Sequence, residues 1–313
     1  MHKRTINRIV FSWILLLIIV ALFGKISVAA SDGGRTSADF LQIGLGARAA
    51  GMGGAYTAVS HGAVSTFWNP AGLAGLDNHE IMLGHFSWYQ DINLEHGSFA
   101  YSLDNGTVLA ASMTYLSYGK IEGYDQEGFY TGELTAYDWA GALSAGFEIT
   151  ENLAVGLTGK IISQNLDEAS ATAFAADIGL RCVMNKFTFA LVASNFGTRM
   201  KFENTEEKLP ATTRIGIAAQ PFNESFITAL EFEKKIYGRS IIRYGVELNF
   251  EQHYFLRTGY KYYFDQTDDS GTGLSMGAGV RFNKVQFDYA YTLKDNYTSE
   301  DIHRFSLVFF MNN

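Results

Sequence analysis

Apolar and polar residues alternate with a period of two along most of the chain from residue 79 to residue 311, a pattern typical of β-strands whose two faces meet different surroundings. In segment 242–250, large apolar residues take every second position, and Arg243 and Glu247 lie between them. The same separation of faces occurs in segments 226–233, 274–281 and 285–292. Fourteen segments of this kind predict an all-β fold of fourteen antiparallel strands.

The apolar rows of these four segments carry no charged residue. This favours a lipid-facing surface, because a charge that faces lipid at mid-bilayer would cost about 2–4 kcal/mol. Tight connections such as 104–106 alternate with longer polar ones such as 119–134, 163–170 and 196–210, as in outer-membrane barrels with their tight turns in the periplasm. We therefore predict a 14-stranded antiparallel transmembrane β-barrel over 78–313. Both termini would be periplasmic because the strand number is even. A soluble protein of two packed sheets is the alternative.

The N-terminus has the order of features found in secretory signal peptides. Lys3 and other basic residues precede an apolar run over 9–23, and small residues follow up to Ala30. We predict a signal peptide over 1–30, cleaved between Ala30 and Ser31, and a location in the cell outer membrane. A retained anchor helix is the alternative.

The mature chain predicted in this way is acidic. Residues 1–30 contain four basic and no acidic residues, so 20 Lys and Arg remain against 32 Asp and Glu, a formal charge of −12. This charge argues against a nucleic-acid partner. The single cysteine, Cys182, cannot form an internal disulfide bond.

The sequence offers little that resembles an active site. Among the seven histidines only His79 and His85 lie close together, and no carboxylate or cysteine completes a metal-binding set. A serine and histidine pair of the phospholipase type would need His253 or His303, and no spacing singles out either. We therefore predict no metal, no cofactor and no enzymatic activity.

Segment 31–77, between the signal peptide and the first strand, is too rich in glycine and polar residues for a lipid-facing strand. Its Gly44-Leu45-Gly46 imitates a dinucleotide-binding motif, but no strand precedes it. Fourteen strands enclose a lumen that side chains alone do not fill. We therefore predict that this segment forms a helical, glycine-rich plug inside the barrel. The residues expected to carry its function are Asn69, Pro70, Ala71, Gly72, Gly51, Gly53 and Gly54.

Charged residues also fall on the polar rows of the strands, which the barrel would turn toward its lumen. They could form salt bridges against the plug, which the pattern favours, or line a polar path that orients a ligand. The residues in question are Lys160, Asp177, Arg214, Glu231, Glu247, Arg243, Arg257, Lys261, Arg281 and Asp288.

The N-terminal part of the mature chain resembles a known family. The runs 39–49, 51–55 and 63–73 are similar to the opening of PorV/PorQ outer-membrane proteins, β-barrels of the UPF0164 type that are related to FadL-type transporters. FadL-type proteins share an Asn-Pro-Ala hatch and a fourteen-stranded barrel. One departure is the C-terminus, which ends on Asn312-Asn313 instead of an aromatic residue.

The resemblance implies two different functions. A PorV/PorQ protein would be a type IX secretion accessory that binds exported proteins and works with secretion-system components. A FadL-like protein would let hydrophobic small molecules, such as long-chain fatty acids, cross the outer membrane passively. Outer-membrane lipid would surround the barrel in both cases. The residues leave the choice open, because one fold can serve many functions.

Overall fold

The computed structural model describes residues 36–88, 91–103, 106–167, 169–202, 205–222, 225–263, 273–293 and 301–311. The predicted signal peptide and the cleavage site at Ala30 and Ser31 lie outside these residues. No helix in the described part of the chain is long and apolar enough to cross a membrane.

Fourteen strands form a closed antiparallel barrel, which confirms the predicted fold class. Strand neighbours follow the chain order, and the barrel closes where β1 pairs with β18. The strands are β1 His79–Ser87, β2 Asn93–Ser102, β3 Val108–Ser117, β4 Ile121–Tyr124, β5 Tyr130–Leu134, β6 Ala136–Thr150, β7 Leu153–Leu166, β8 Ala169–Met184, β9 Phe187–Gly197, β10 Met200–Phe202, β11 Thr205–Glu207, β12 Thr212–Ala219, β13 Phe226–Lys235, β14 Ser240–Phe250, β15 Tyr254–Tyr263, β16 Gly273–Phe282, β17 Val285–Thr292 and β18 Ile302–Met311.

The two ends of the barrel differ in their connections. One end, here called the turn end, carries tight connections such as 151–152, 185–186 and 283–284. The opposite end, the loop end, carries two small hairpins, β4–β5 and β10–β11, that lie outside the barrel sheet. Both hairpins fall in segments that the sequence pattern predicted as loops.

One connection at the loop end is shorter than predicted. The sequence suggested a long loop over 163–170, but β7 continues to Leu166 and β8 begins at Ala169. Gln164 explains the error, because it is a polar residue of a strand. Its side chain accepts a hydrogen bond from the Ala38 backbone N–H (2.8 Å) and donates one to Asp138 (2.9 Å).

The outer face of the barrel is apolar along the strands. Large side chains that project outward are about half exposed on every side of the barrel, as expected for a surface that meets lipid. Examples are Leu83, Phe99, Leu109, Leu143, Leu157, Ile178, Ile217, Leu230, Tyr244, Leu256, Met276 and Phe287. Glu95 is an exception, and it lies near the loop end, where its carboxylate is 2.7 Å from His85 Nδ1.

Residues 36–77 run inside the barrel, and this segment is called the plug below. It contains two 3₁₀ helices, η1 (Asp39–Gln42) and η2 (Pro70–Leu73), and two short α-helices, α1 (Ala47–Gly51) and α2 (Ser65–Trp68). The first residues of the plug pack into an apolar cluster near the loop end. This cluster includes Phe40, Leu41, Leu45, Phe86, Leu94, Leu116, Ile162, Met200, Leu209 and Ile302.

The described chain begins and ends at opposite ends of the barrel. Thr36 forms a bridge with Lys208 at the loop end, whereas Met311 pairs with His79 at the turn end. The predicted mature N-terminus and the last two residues lie outside the described residues. The prediction of two periplasmic termini therefore stays a prediction.

Candidate functional site

The helix η2 lies directly against the backbone of three barrel strands. Gly146, Gly156 and Gly179 face the lumen side by side on β6, β7 and β8. A Cβ at Gly156 would lie 2.1 Å from the carbonyl carbon of Pro70, and one at Gly179 would lie 2.1 Å from Asn69 Oδ1. This glycine contact surface exists because no larger residue would let the two backbones approach so closely.

Asn69 holds this part of the plug in its conformation. Its side chain is fully buried and donates hydrogen bonds to the carbonyl oxygens of Thr57 (3.1 Å) and Leu180 (3.3 Å). Its Oδ1 accepts a hydrogen bond from the Ala71 backbone N–H at 3.0 Å and so caps η2. Pro70 at the first position of η2 lacks the N–H that a helix start leaves unpaired.

Three further glycines of the plug contact the opposite wall, on β14 to β16. A Cβ on Gly51 would lie 3.1 Å from the Gly277 Cα. Gly53 and Gly54 have φ angles of +65° and +79°, which favour glycine. A Cβ on Gly53 would also lie 2.7 Å from the backbone nitrogen of Tyr260.

A network of buried charges joins the plug to this same wall. Arg48 of α1 donates two hydrogen bonds to the two carboxylate oxygens of Glu247, at 2.8 and 2.7 Å. Arg257 binds both Glu247 (2.5 Å) and Asp288 (2.6 Å). The positive charges of Arg48 and Arg257 balance the negative charges of Glu247 and Asp288. Each buried ion therefore has a partner, as a low-dielectric interior requires.

The plug arginine keeps its charge in this setting. Burial alone would lower the pKa of Arg48, but the negative charge of Glu247, its hydrogen bonds to Arg48 and the nearby Tyr56 and Asp288 together raise the pKa well above its ordinary value. The bidentate geometry adds direction to the contact, because a guanidinium matches both oxygens of a carboxylate.

A second carboxylate, Glu231, also binds the plug. One of its oxygens accepts hydrogen bonds from the backbone N–H groups of Tyr56 (3.1 Å) and Thr57 (2.8 Å). The other oxygen lies 3.2 Å from Arg243, which also binds Glu233 at 3.1 Å. We call Arg48, Glu231, Arg243, Glu247, Arg257 and Asp288 the charge network.

The remaining predicted lumen charges do not join this network. Lys160 pairs with Asp177 at 2.6 Å, where the β8–β9 pairing shifts register and Asp177 accepts a hydrogen bond from the Asn195 N–H. Arg281 lies 3.9 Å from the centre of the Phe310 ring. Arg214 and Lys261 line a cavity at the loop end.

One cavity lies on each side of the plug. The loop-end cavity has a volume of about 190 Å³ and is lined by plug residues 41–44 and by aromatic and basic side chains. The turn-end cavity has a volume of about 610 Å³ and is lined by polar residues that include Arg48, His61, Glu80 and Arg281. In the described residues, no group of three His, Cys, Asp or Glu could hold a metal ion.

The sequence pattern did not predict that glycines on the barrel wall contact the plug. Gly156, Gly179 and Gly259 belong to the small and polar rows of the strands, and the pattern gave them no special role. The sequence feature that could have identified them is the presence of inward-facing glycines on neighbouring strands. Three such pairs lie directly opposite each other, Gly146 with Gly156, Gly156 with Gly179, and Gly245 with Gly259.

Comparison with known proteins places the chain in a family. A model of the uncharacterised protein family UPF0164 matches residues 22–312. The chain belongs to this family. No curated protein sequence matches this UPF0164 member.

Solved structures share the fold of this UPF0164 protein. The toluene transporter TodX of Pseudomonas putida superposes with a TM-score of 0.63 at 12% identity, covering 85% of this chain and 97% of TodX. The toluene transporter TbuX of Ralstonia pickettii gives 0.60 at 15% identity, covering 86% and 98%. A FadL homologue of Pseudomonas aeruginosa gives 0.57 at 12% identity, covering 85% and 98%. At these identities the likeness concerns the fold.

Proposed function

We propose that this UPF0164 protein is an outer-membrane channel through which small hydrophobic molecules cross passively when its plug is displaced. The observation that carries the proposal is the position of the plug, which separates two cavities within one closed barrel. The fold shared with two toluene transporters and a FadL homologue supports this function over the alternatives. Such a channel needs no catalytic group, metal or cofactor.

The proposal includes an orientation in the membrane. Tight turns face the periplasm in outer-membrane barrels and the longer loops face outward, so the turn end would be periplasmic. A molecule would then enter at the loop end, reach the loop-end cavity and leave through the larger turn-end cavity. The apolar outer face of the strands would contact outer-membrane lipid.

A reversible lock on the plug tests the proposal. The Cβ atoms of Ala58 in the plug and of a side chain built at Gly216 on β12 lie 3.2 Å apart, close to the roughly 3.5–4.5 Å of disulfide bonds. The variant Ala58→Cys/Gly216→Cys, with Cys182→Ala to remove the native thiol, should therefore lock the plug when oxidised. We expect toluene uptake by cells that carry this barrel to stop on oxidation and to return with reductant.

The two single-cysteine variants are the matched controls, because they alter the same positions without forming a bond. They should take up toluene equally in oxidant and reductant. Equal uptake by the locked and the reduced double variant would contradict the proposal, as would uptake no faster than that of cells without the barrel.

The secretion function that the PorV/PorQ resemblance implies is a second candidate. One observation favours it, namely the projecting hairpin β4–β5. Tyr124, Phe129 and Tyr130 on this hairpin are 58%, 71% and 57% exposed, and exposed aromatic residues are typical of protein-binding surfaces. An exported protein could dock there.

A hairpin deletion separates the two functions. Replacement of residues 122–133 by a short turn should leave toluene uptake unchanged if the barrel is a channel. A secretion accessory would instead lose binding of exported proteins and depend on a type IX translocon in the same genome. A genome without that translocon excludes the secretion function.

A further inference from the structure

The loop-end cavity has a size that limits what it can hold. An apolar cavity of about 150 Å³ holds benzene, and pockets for drug-sized ligands have about 300 Å³ or more. The cavity of this barrel, with about 190 Å³, lies between these values. Its aromatic lining consists of Phe67, Trp68, Phe86 and Trp88. It therefore suits a single aromatic ring that carries a few further atoms.

The same cavity has an excess of positive charge. Among the described residues that line it, Arg214 and Arg304 form no ion pair, and the one carboxylate, Glu233, is matched by Arg243. That carboxylate already binds Arg243 at 3.1 Å. A neutral hydrocarbon would leave this charge excess unanswered, whereas an anion would balance part of it.

Arg214 brings the charge and an aromatic surface together. Its guanidinium lies 5.3 Å from the centre of a Trp68 ring, and one of its nitrogens donates a hydrogen bond to Ser194 Oγ at 3.1 Å. The residue is 94% buried, and its Nε has no hydrogen-bond partner. In the described part of the chain Arg214 forms no ion pair. A buried cation with an unused donor favours an anionic ligand.

From this cavity we propose that the barrel binds a small aromatic carboxylate of the benzoate class. The carboxylate accepts hydrogen bonds from the Arg214 guanidinium, and the ring packs against Trp68 and the neighbouring aromatic side chains. This inference rests on the proposed channel function and adds aromatic acids as the ligands that the loop-end cavity binds most tightly, with neutral rings such as toluene bound more weakly.

Ligand binding can be measured directly by fluorescence of the purified full-length barrel in detergent. Trp68 and Trp88 line the cavity, whereas Trp139 lies on β6 outside it. Titrations should use benzoate, toluene as the neutral analogue and acetate as the acid without a ring. We expect benzoate to bind at least tenfold more tightly than either toluene or acetate.

The variant Arg214→Gln should weaken benzoate binding by about tenfold, the size expected for the loss of a hydrogen bond to a charged group. Arg214→Lys keeps the charge and should lose less. Toluene binding should stay unchanged in both variants. Arg281→Gln is the matched control, because it removes a cation that lines only the other cavity.

Several results would overturn the inference. These are equal binding of benzoate by Arg214→Gln and the wild type, toluene binding as tight as benzoate binding, or no fluorescence response to benzoate. Toluene uptake that stops in the locked barrel, combined with any of these results, leaves the channel function in place. Unchanged uptake by the locked barrel refutes the channel function independently of benzoate binding.

Discussion

The plug is held by two opposite walls of the same barrel in different ways. Against β6, β7 and β8 it makes contact by shape, with the backbone of η2 on Gly146, Gly156 and Gly179, and no ion pair joins the plug to these strands in the described residues. Against β13 to β17 the plug also makes close glycine contacts, and here the charge network is added to them. The first contact tolerates no added atom, whereas the second depends on every charge having its partner.

This difference matters for the proposed displacement of the plug. A contact by shape gains its attraction from many small dispersion contacts and fixes the position of η2, because a close-packed interface leaves little room for a shift. A buried charge network resists the loss of a member, because the buried ions that this member bound would each lose a partner. The charge network should therefore set the stability of the closed state, and the glycine contact surface should set its geometry.

The largest effect should follow from Glu247→Gln, which removes the carboxylate shared by Arg48 and Arg257. Breaking a buried ion pair on one side costs about 3–5 kcal/mol, and the plug should lose the ion pair that ties Arg48 to this wall. We expect rapid trypsin cleavage within the plug and a rise in ion conductance of the barrel in planar bilayers.

The control for this variant is Glu133→Gln in the exposed hairpin. Glu133 pairs with Lys120 at 3.3 Å, and their side chains are 54% and 78% exposed. Pairs of this kind contribute about 0–1 kcal/mol, so cleavage and conductance should match the wild type. A Glu247→Gln barrel that is equally resistant to trypsin would show that the charge network does not hold the plug.

A smaller effect should follow from Gly156→Ala in the glycine contact surface. The added Cβ would lie 2.1 Å from the Pro70 carbonyl carbon, and overpacking of this kind costs about 1–3 kcal/mol. We expect the barrel to fold and the Asn69-Pro70 region to shift, which hydrogen exchange of the plug amides would detect. Gly159→Ala on the same strand is the control, because its Cβ would meet no atom within 4 Å. Equal exchange in both variants would mean that the contact is not tight.

The barrel could be predicted from the sequence alone because the outer face and the lumen face of each strand repeat with the same period of two residues. Lipid outside and a polar lumen inside separate the faces of every strand, and the separation is visible in segments such as 242–250. The sequence could not predict which charges meet. Glu247 and Arg48 are 199 residues apart in the chain, and only the closed barrel brings them together. Polar lumen residues such as Gln164 also look like loop residues until the plug supplies their partners.

The smallest effect should follow from Asn69→Ala, which tests whether the glycine contact surface needs the asparagine as well as the glycines. The change removes the cap of η2 and two hydrogen bonds to backbone carbonyl oxygens. Loss of an N-cap typically costs about 1 kcal/mol and each further lost hydrogen bond about 1 kcal/mol, but the displacement of η2 should be the smaller one because no atom is added that would push it off the wall.

We therefore expect Asn69→Ala to increase amide exchange around η2 less than Gly156→Ala does and to leave ion conductance unchanged. Asn165→Ala provides a control, since within the described ranges the side chain of this asparagine donates to Ser163 of its own strand at 3.3 Å and contacts no plug residue through a hydrogen bond. If amide exchange increased as much in Asn69→Ala as in Gly156→Ala, the asparagine would be the residue that fixes the position of the plug. The wall glycines would then only leave room for η2. The plug would be held by polar contacts on both walls, by Asn69 on one and by the charge network on the other.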